Sequence, residues 1–210
     1  MESFLQKALV YFSAAVWLLV LALMGVGVPL GFWKPVGIVS LVVSVVIFAY
    51  DKWAWAWIPM KVSGVSDLRG TWRGTILSNW TDPRTGAKPA PVEAYFSIRQ
   101  TASKIEVAMM TRESRSSTIT AKIERCDGGL QVIGVYRNEP RPIVRDRSPI
   151  HYGGLRLSVG GPPATTLHGD YWTDRSTTGE ISLTRCLPTP IDDFSTAQAR
   201  CAAASPLSST

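Results

Sequence analysis

Nothing constrains this chain more than its first quarter, residues 8–58, where apolar residues run almost without a break. One segment, 8–28, carries no charge. A corner rich in proline and glycine, 29–35, turns the chain. A second apolar segment, 36–50, continues through Asp51 and Lys52 into Trp53, Trp55 and Trp57. A bilayer core about 30 Å thick takes roughly 20 helical residues to cross. The first segment meets that length alone, and the second does so if Lys52 snorkels to an interface where the tryptophans form an aromatic belt. A signal peptide would give way to a polar mature chain rather than to a second apolar run. A buried core hairpin would show polar residues at helical spacing. The expectation is therefore a two-helix transmembrane hairpin over 1–58. Lys7, Lys52 and Lys61 flank it and Lys34 alone marks the corner, so both termini and the rest of the chain are expected on the cytoplasmic side of an inner membrane.

After a linker at 59–67 the period changes from helical to alternating. Eight strand candidates follow, at 70–80, 92–100, 104–111, 116–125, 130–138, 151–159, 165–173 and 178–185, each bounded by Gly, Pro, Ser, Asn or Asp. No amphipathic helix interrupts them. Eight consecutive antiparallel strands most simply close into an up-and-down barrel over 68–186, which removes the exposed edges; a two-sheet sandwich is the alternative. Residues 187–210 are rich in Ala, Ser, Pro and Thr and are expected to be a disordered tail. Cys126, Cys186 and Cys201 stand at no metal-ligand spacing and are expected as free thiols.

Alternation assigns the inner face. The predicted inward sets include Trp72-Gly74-Ile76, Ile105-Val107-Met109-Thr111, Ser117-Ile119-Ala121-Ile123, Val132-Gly134-Tyr136-Asn138 and Leu167-Gly169-Tyr171-Thr173. Running the strands up and down puts Trp72, Gln100 and Arg185 at one end and a polar, aromatic ring at the other. The candidate ligand residues on that ring are Thr111, Arg112, Ser114, Ser116, Tyr136, Asn138, His151, Tyr171 and Arg175. Hydroxyls and guanidinium forks suit phosphate oxygens, and aromatic faces suit bases. This chemistry points to a small phosphorylated, base-bearing ligand at a pocket mouth. The alternative is a lipocalin-like barrel holding a lipid or other apolar guest. No metal, no cofactor and no direct nucleic-acid interface is expected. With two histidines of opposite parity, no Gly-x-Ser-x-Gly and no paired carboxylates, neither is a catalytic residue or an enzyme activity.

The motifs also carry a resemblance. They are Leu68-x-Gly70-x-Trp72-x-Gly74, Gln100-Thr101, Thr111-x-x-Ser114-x-Ser116, Tyr136-Arg-Asn138-Glu-Pro140, His151-Tyr152-Gly153, Leu167-x-Gly169-x-Tyr171-x-Thr173-x-Arg175 and Gly179-x-Ile181-x-Leu183. With the apolar hairpin before them, they resemble the SMODS-associating two-transmembrane, β-strand-rich effectors of CBASS-type anti-phage signalling. Ala102 and Gly134 depart from that pattern. The resemblance implies a barrel that binds a cyclic dinucleotide made by a partner nucleotidyltransferase or cyclic-nucleotide polymerase. It further implies a homo-oligomer whose helices breach the lipid bilayer and cause abortive infection. It leaves open whether the ligand activates or restrains the effector.

Overall fold

The structure is a computed structural model that describes residues 11–12, 14–18, 33–58, 66–83, 85–126 and 129–204. It divides into two units, residues 1–65 with 101–103, and residues 66–100 with 104–210.

In the first unit, 11–12 and 14–18 are helical, and helix α1 spans Trp33–Lys52 before a 3-10 helix at Ala54–Trp57. Among the described residues no helix is long and apolar enough to cross a membrane, which overturns the expected transmembrane hairpin. Most of 8–32 lies outside the described residues. For the second expected span the physical reason is visible. The charge-free run inside α1 extends from residue 35 to residue 50, so about 24 Å of helix at 1.5 Å per residue, short of a core of about 30 Å. The α-helix then stops at Lys52 instead of carrying Asp51 and Lys52 onward through the tryptophans. Asp51 is occupied at that end, its carboxylate accepting hydrogen bonds from the Thr101 hydroxyl and from the Ser103 amide and hydroxyl.

The second unit is a closed antiparallel barrel with the strand order β1 to β8. The strands are β1 Gly70–Ser78, β2 Val92–Gln100, β3 Ile105–Met110, β4 Ser114–Cys126, β5 Gly129–Pro140, β6 His151–Gly160, β7 Thr166–Thr173 and β8 Thr178–Leu187. All eight expected strands are present. The β1–β8 pairing closes the ring, from Thr71 opposite Leu187 to Ser78 opposite Gly179. Closure of so small a ring brings neighbouring backbones close. A Cβ on Gly74 would fall 1.8 Å from the Ser182 carbonyl oxygen, so only glycine fits there.

Inward side chains fill the barrel from one end. Trp72, Phe96, Ile98, Val132, Leu157, Leu167, Ile181 and Leu183 form one buried cluster with Ile105, Val107 and Leu155. Burial of each such side chain stabilises by about 1.5–3 kcal/mol. Polar groups seal the same end. The Leu68 amide donates to Gln100 Oε1 (2.8 Å), Gln100 Nε2 donates to the Ser66 carbonyl (2.9 Å), and the Trp72 indole donates to the Leu68 carbonyl (2.9 Å). Arg185 donates to the Asp67 and Arg69 carbonyls, with its guanidinium over the Trp72 ring. Residues 66–67 therefore belong to this seal and not to a linker.

Strand β4 departs from strict alternation. Its register against β5 shifts between Thr118 and Thr120, so Thr118 pairs with Tyr136 and Ala121 with Gly134. The extra residue, Ile119, is 64% exposed, whereas Ser116 is buried. A bulge inserts one residue and reverses side-chain parity beyond it. The expected inward placement of Ser117 and Ile119 fails for that reason, while Ala121 and Ile123 keep theirs.

Residues 187–204, expected to be disordered, are ordered. Helix α2, Phe194–Ala204, lies on the barrel wall and buries Ala197 and Cys201 with Tyr95, Met110 and Ile191. Asp193 caps it. Its carboxylate accepts from the Ser195 hydroxyl and from the Thr196 amide and hydroxyl, and these bonds hold its pKa down to about 2. Asp192 pairs with Arg99 and Arg115. Cys186 and Cys201 form a disulfide across a sequence separation of 15, so of the three expected free thiols only Cys126 is one. Residues 205–210 lie outside the described residues.

Gln100 is the keystone of the sealed end, since it alone satisfies both the Leu68 amide and the Ser66 carbonyl. Gln100→Ala is expected to lower unfolding free energy by about 2–3 kcal/mol, the usual cost of stranding buried polar groups, read by urea denaturation. A loss no larger than that of an exposed substitution would contradict this role.

Candidate functional site

Because hydrophobic side chains occupy the Trp72 end, the space left lies at the other. There the upper parts of the strands, the β3–β4 turn, the β7–β8 turn and two long loops (79–91 and 141–150) surround a cavity of about 400 Å3. That volume falls within the range of small-molecule sites. Its floor is apolar, with Ile76 and Met109, and its wall carries Tyr136, Tyr171 and Asn138. Thr111, Ser114, Thr173 and Thr177 supply hydroxyls near the rim.

Each wall residue has a structural reason for its position. Tyr136 is 3% exposed and its ring lies against Gly153, where a Cβ would come within 2.5 Å of the phenol oxygen. Burial first, then the nearby Tyr171 and Asp174, pushes its pKa well above the ordinary tyrosine value, so the phenol stays protonated and able to donate. Asn138 accepts from the Ser116 hydroxyl at its carbonyl oxygen (2.7 Å), which leaves its amide nitrogen to face the cavity. The Thr111 and Ser114 hydroxyls lie 3.0 Å apart across the β3–β4 turn, and those of Thr173 and Thr177 lie 2.6 Å apart across the β7–β8 turn. His151 Nδ1 sits 3.0 Å from the Pro149 carbonyl, so that nitrogen is the donor of the pair.

The 141–150 loop is fastened across this mouth on two sides. Arg147 forms an ion pair with Glu113 of the β3–β4 turn, and the Arg141 amide donates to the Glu113 carbonyl (2.8 Å). From the β7–β8 turn, Arg175 donates to the Ser148 hydroxyl (3.1 Å). Two guanidiniums therefore stand over the cavity, each steadied by a partner on a different segment.

Seven of the nine residues singled out in the sequence line this one cavity: Thr111, Ser114, Tyr136, Asn138, His151, Tyr171 and Arg175. The other two do not. Ser116 is 2% exposed and lies behind Asn138, while Arg112 lines a separate groove on the outside of the β3–β4 turn. Sequence reasoning missed Arg147, Ser148 and, from the 79–91 loop, Trp80 and Pro89. The loops' location at this end was legible; which loop residues turn inward was not, because loops have no period. Among the described residues no cluster of three or more His, Cys, Asp or Glu side chains forms a metal-binding group.

The chain can be set against known proteins on this basis. A family model described as "Cap15, cyclic dinucleotide receptor domain" matches residues 63–185, the barrel itself. CD-NTase-associated protein 15 of Staphylococcus schleiferi is 28% identical over 152 residues, covering 70% of this chain and 79% of the relative. Among solved structures, a redesigned β-barrel matches 56% of this chain and 90% of its own at 15% identity, with a TM-score of 0.31. The resemblance read from the motifs is borne out, and a match spanning the eight strands and the residues around the cavity shows that the chain belongs to the Cap15 cyclic dinucleotide receptor domain family.

Proposed function

We propose that the mouth cavity is the receptor site for a cyclic dinucleotide and that the chain is an effector in CBASS-type anti-phage defence. The family match supports the ligand class. The observation that carries the reading onto particular residues is the pair Arg147 and Arg175, held over a cavity walled by Tyr136 and Tyr171. A cyclic dinucleotide carries two anionic phosphodiesters and two flat bases. Guanidinium forks match phosphate oxygens, and aromatic faces match bases. Phosphate binding would relieve Arg147 of Glu113, exchanging a solvent-exposed ion pair for a charge-assisted contact at the mouth. The Asn138 amide nitrogen and the protonated Tyr136 phenol would donate to acceptors on a base edge. His151 Nδ1 is already committed to a backbone carbonyl, and the reading is of a receptor rather than an enzyme.

The ligand would come from a partner nucleotidyltransferase, in keeping with the name of the staphylococcal relative. The response to it would be a change in self-assembly, because a ligand acts on a protein only by binding one state better than another. A sizing experiment on the full chain with and without ligand reads this step, and identical profiles would contradict it.

Titration of the full chain with cyclic dinucleotides tests the site itself. Arg147→Ala and Arg175→Ala are each expected to weaken binding about tenfold or more, at 1.4 kcal/mol per decade, with an unchanged melting temperature without ligand. Tyr136→Phe keeps the packing and tests the phenol donor alone. Wild-type affinity in both arginine variants would move the ligand elsewhere.

A further inference from the structure

Arg112 lies outside the mouth, and its surroundings form a second concave surface. A groove of about 700 Å3 runs between the outer side of the β3–β4 turn, the end of β5 with the first part of the 141–150 loop, and the start of helix α2. Four arginines line it: Arg112, Arg115, Arg141 and Arg145. Its carboxylates are already engaged. Asp192 pairs with Arg99 and Arg115, Asp193 caps α2, and Glu139 pairs with Arg137. The Arg145 side chain donates to the Pro140 carbonyl. The guanidiniums of Arg112 and Arg141, in contrast, have no hydrogen bond or ion pair among the described residues. The bond from the Arg141 amide to the Glu113 carbonyl fixes these two residues on adjoining backbone. With the groove's carboxylates bonded to other groups, Arg112 and Arg141 lack a direct counter-ion, and an anion bound between their guanidiniums would supply one. The groove also offers an apolar side. Phe194 lines it, edge-on to Tyr95, beside Pro140 and Pro142.

We propose that this groove is a second ligand site, separate from the mouth, that takes a nucleoside polyphosphate: phosphates on Arg112 and Arg141, base against Phe194 and the prolines. The proposal does not depend on the mouth binding a cyclic dinucleotide. Helix α2 makes one wall of the groove, so the ordered segment after the barrel completes the site. The β3–β4 turn is common to groove and mouth. Thr111 and Ser114 line both, and Glu113 anchors the loop that crosses the mouth. An occupant of the groove therefore sits one backbone turn from the proposed receptor cavity.

The test is a titration of the full chain with ATP and GTP, first alone and then with the mouth saturated by cyclic dinucleotide. Tripolyphosphate and adenosine serve as separate probes of the two halves. The expected result is one nucleotide per chain that persists when the mouth is filled, with tripolyphosphate retaining most of the affinity. The double variant Arg112→Ala/Arg141→Ala should weaken nucleotide binding at least tenfold, and Arg112→Lys/Arg141→Lys should restore part of it. Cyclic dinucleotide affinity should change by less than about threefold in either, a shift under 1 kcal/mol. Both positions are exposed, so an unchanged melting temperature confirms that the variants fold. The proposal is overturned if nucleotide and cyclic dinucleotide compete, if the double alanine variant binds nucleotide like wild type, or if no binding occurs up to about 1 mM, the range of −4 kcal/mol. Should cyclic dinucleotide itself fail to bind, the nucleotide titration alone still reads the groove through Arg112 and Arg141.

Discussion

Everything at the mouth depends on how the barrel is closed at its other end. The pairing of β1 with β8 joins the sheet into a ring, and Trp72, Gln100 and Arg185 then seal it. A barrel of eight strands has an interior just wide enough for side chains to fill or for one small guest. Which outcome holds at each level is decided by side-chain volume. Large apolar residues fill the sealed end. Towards the mouth, threonine, serine and asparagine leave space, and Gly153 admits the Tyr136 ring. A cavity with an apolar floor and a polar rim follows from that gradient without a separate binding domain.

Closure also frees the loops. Since no strand edge is left to protect, the long connections at the mouth carry no burden of edge protection. The 141–150 loop is instead fastened by Arg147 to Glu113 and by Arg175 to Ser148, contacts that are half-exposed and individually weak. Weak, exposed contacts are what a site needs if an anionic ligand is to compete with Glu113 for the same arginine. The stable part of the fold and the replaceable part are thus at opposite ends of the same strands.

The barrel was legible in the sequence because a strand of period two states which side chains share a face and, through up-and-down order, which share an end. Thr111, Tyr136, His151 and Arg175 come from four different connections or strands, yet parity and direction alone brought them together. The failures have local physical causes. One bulge at Ile119 reversed parity in β4. Arg112 lies in the β3–β4 turn, where no alternation fixes which way a side chain points, and it lines the outer groove. The last segment was read by composition as disordered, although Asp193-Phe-Ser-Thr is an N-cap signal and Ala197 and Cys201, four apart, mark one buried helical face. In the first unit, hydropathy counted residues that the helix does not use: α1 ends at Lys52 and its uncharged run is too short to span. Arg147 had no sequence signal at all, since nothing in a loop's composition tells which residue bends over a mouth.

The most direct measurement of the central claim is a site-resolved map of the full chain by backbone amide NMR during a cyclic dinucleotide titration. The account predicts shifts concentrated at the β3–β4 and β7–β8 turns, the 141–150 loop and the cavity-facing ends of β5 and β6. The amides around Trp72, Gln100 and Arg185 should stay in place. Shifts centred on the sealed end or on the outer wall of the barrel, with the mouth unaffected, would contradict it.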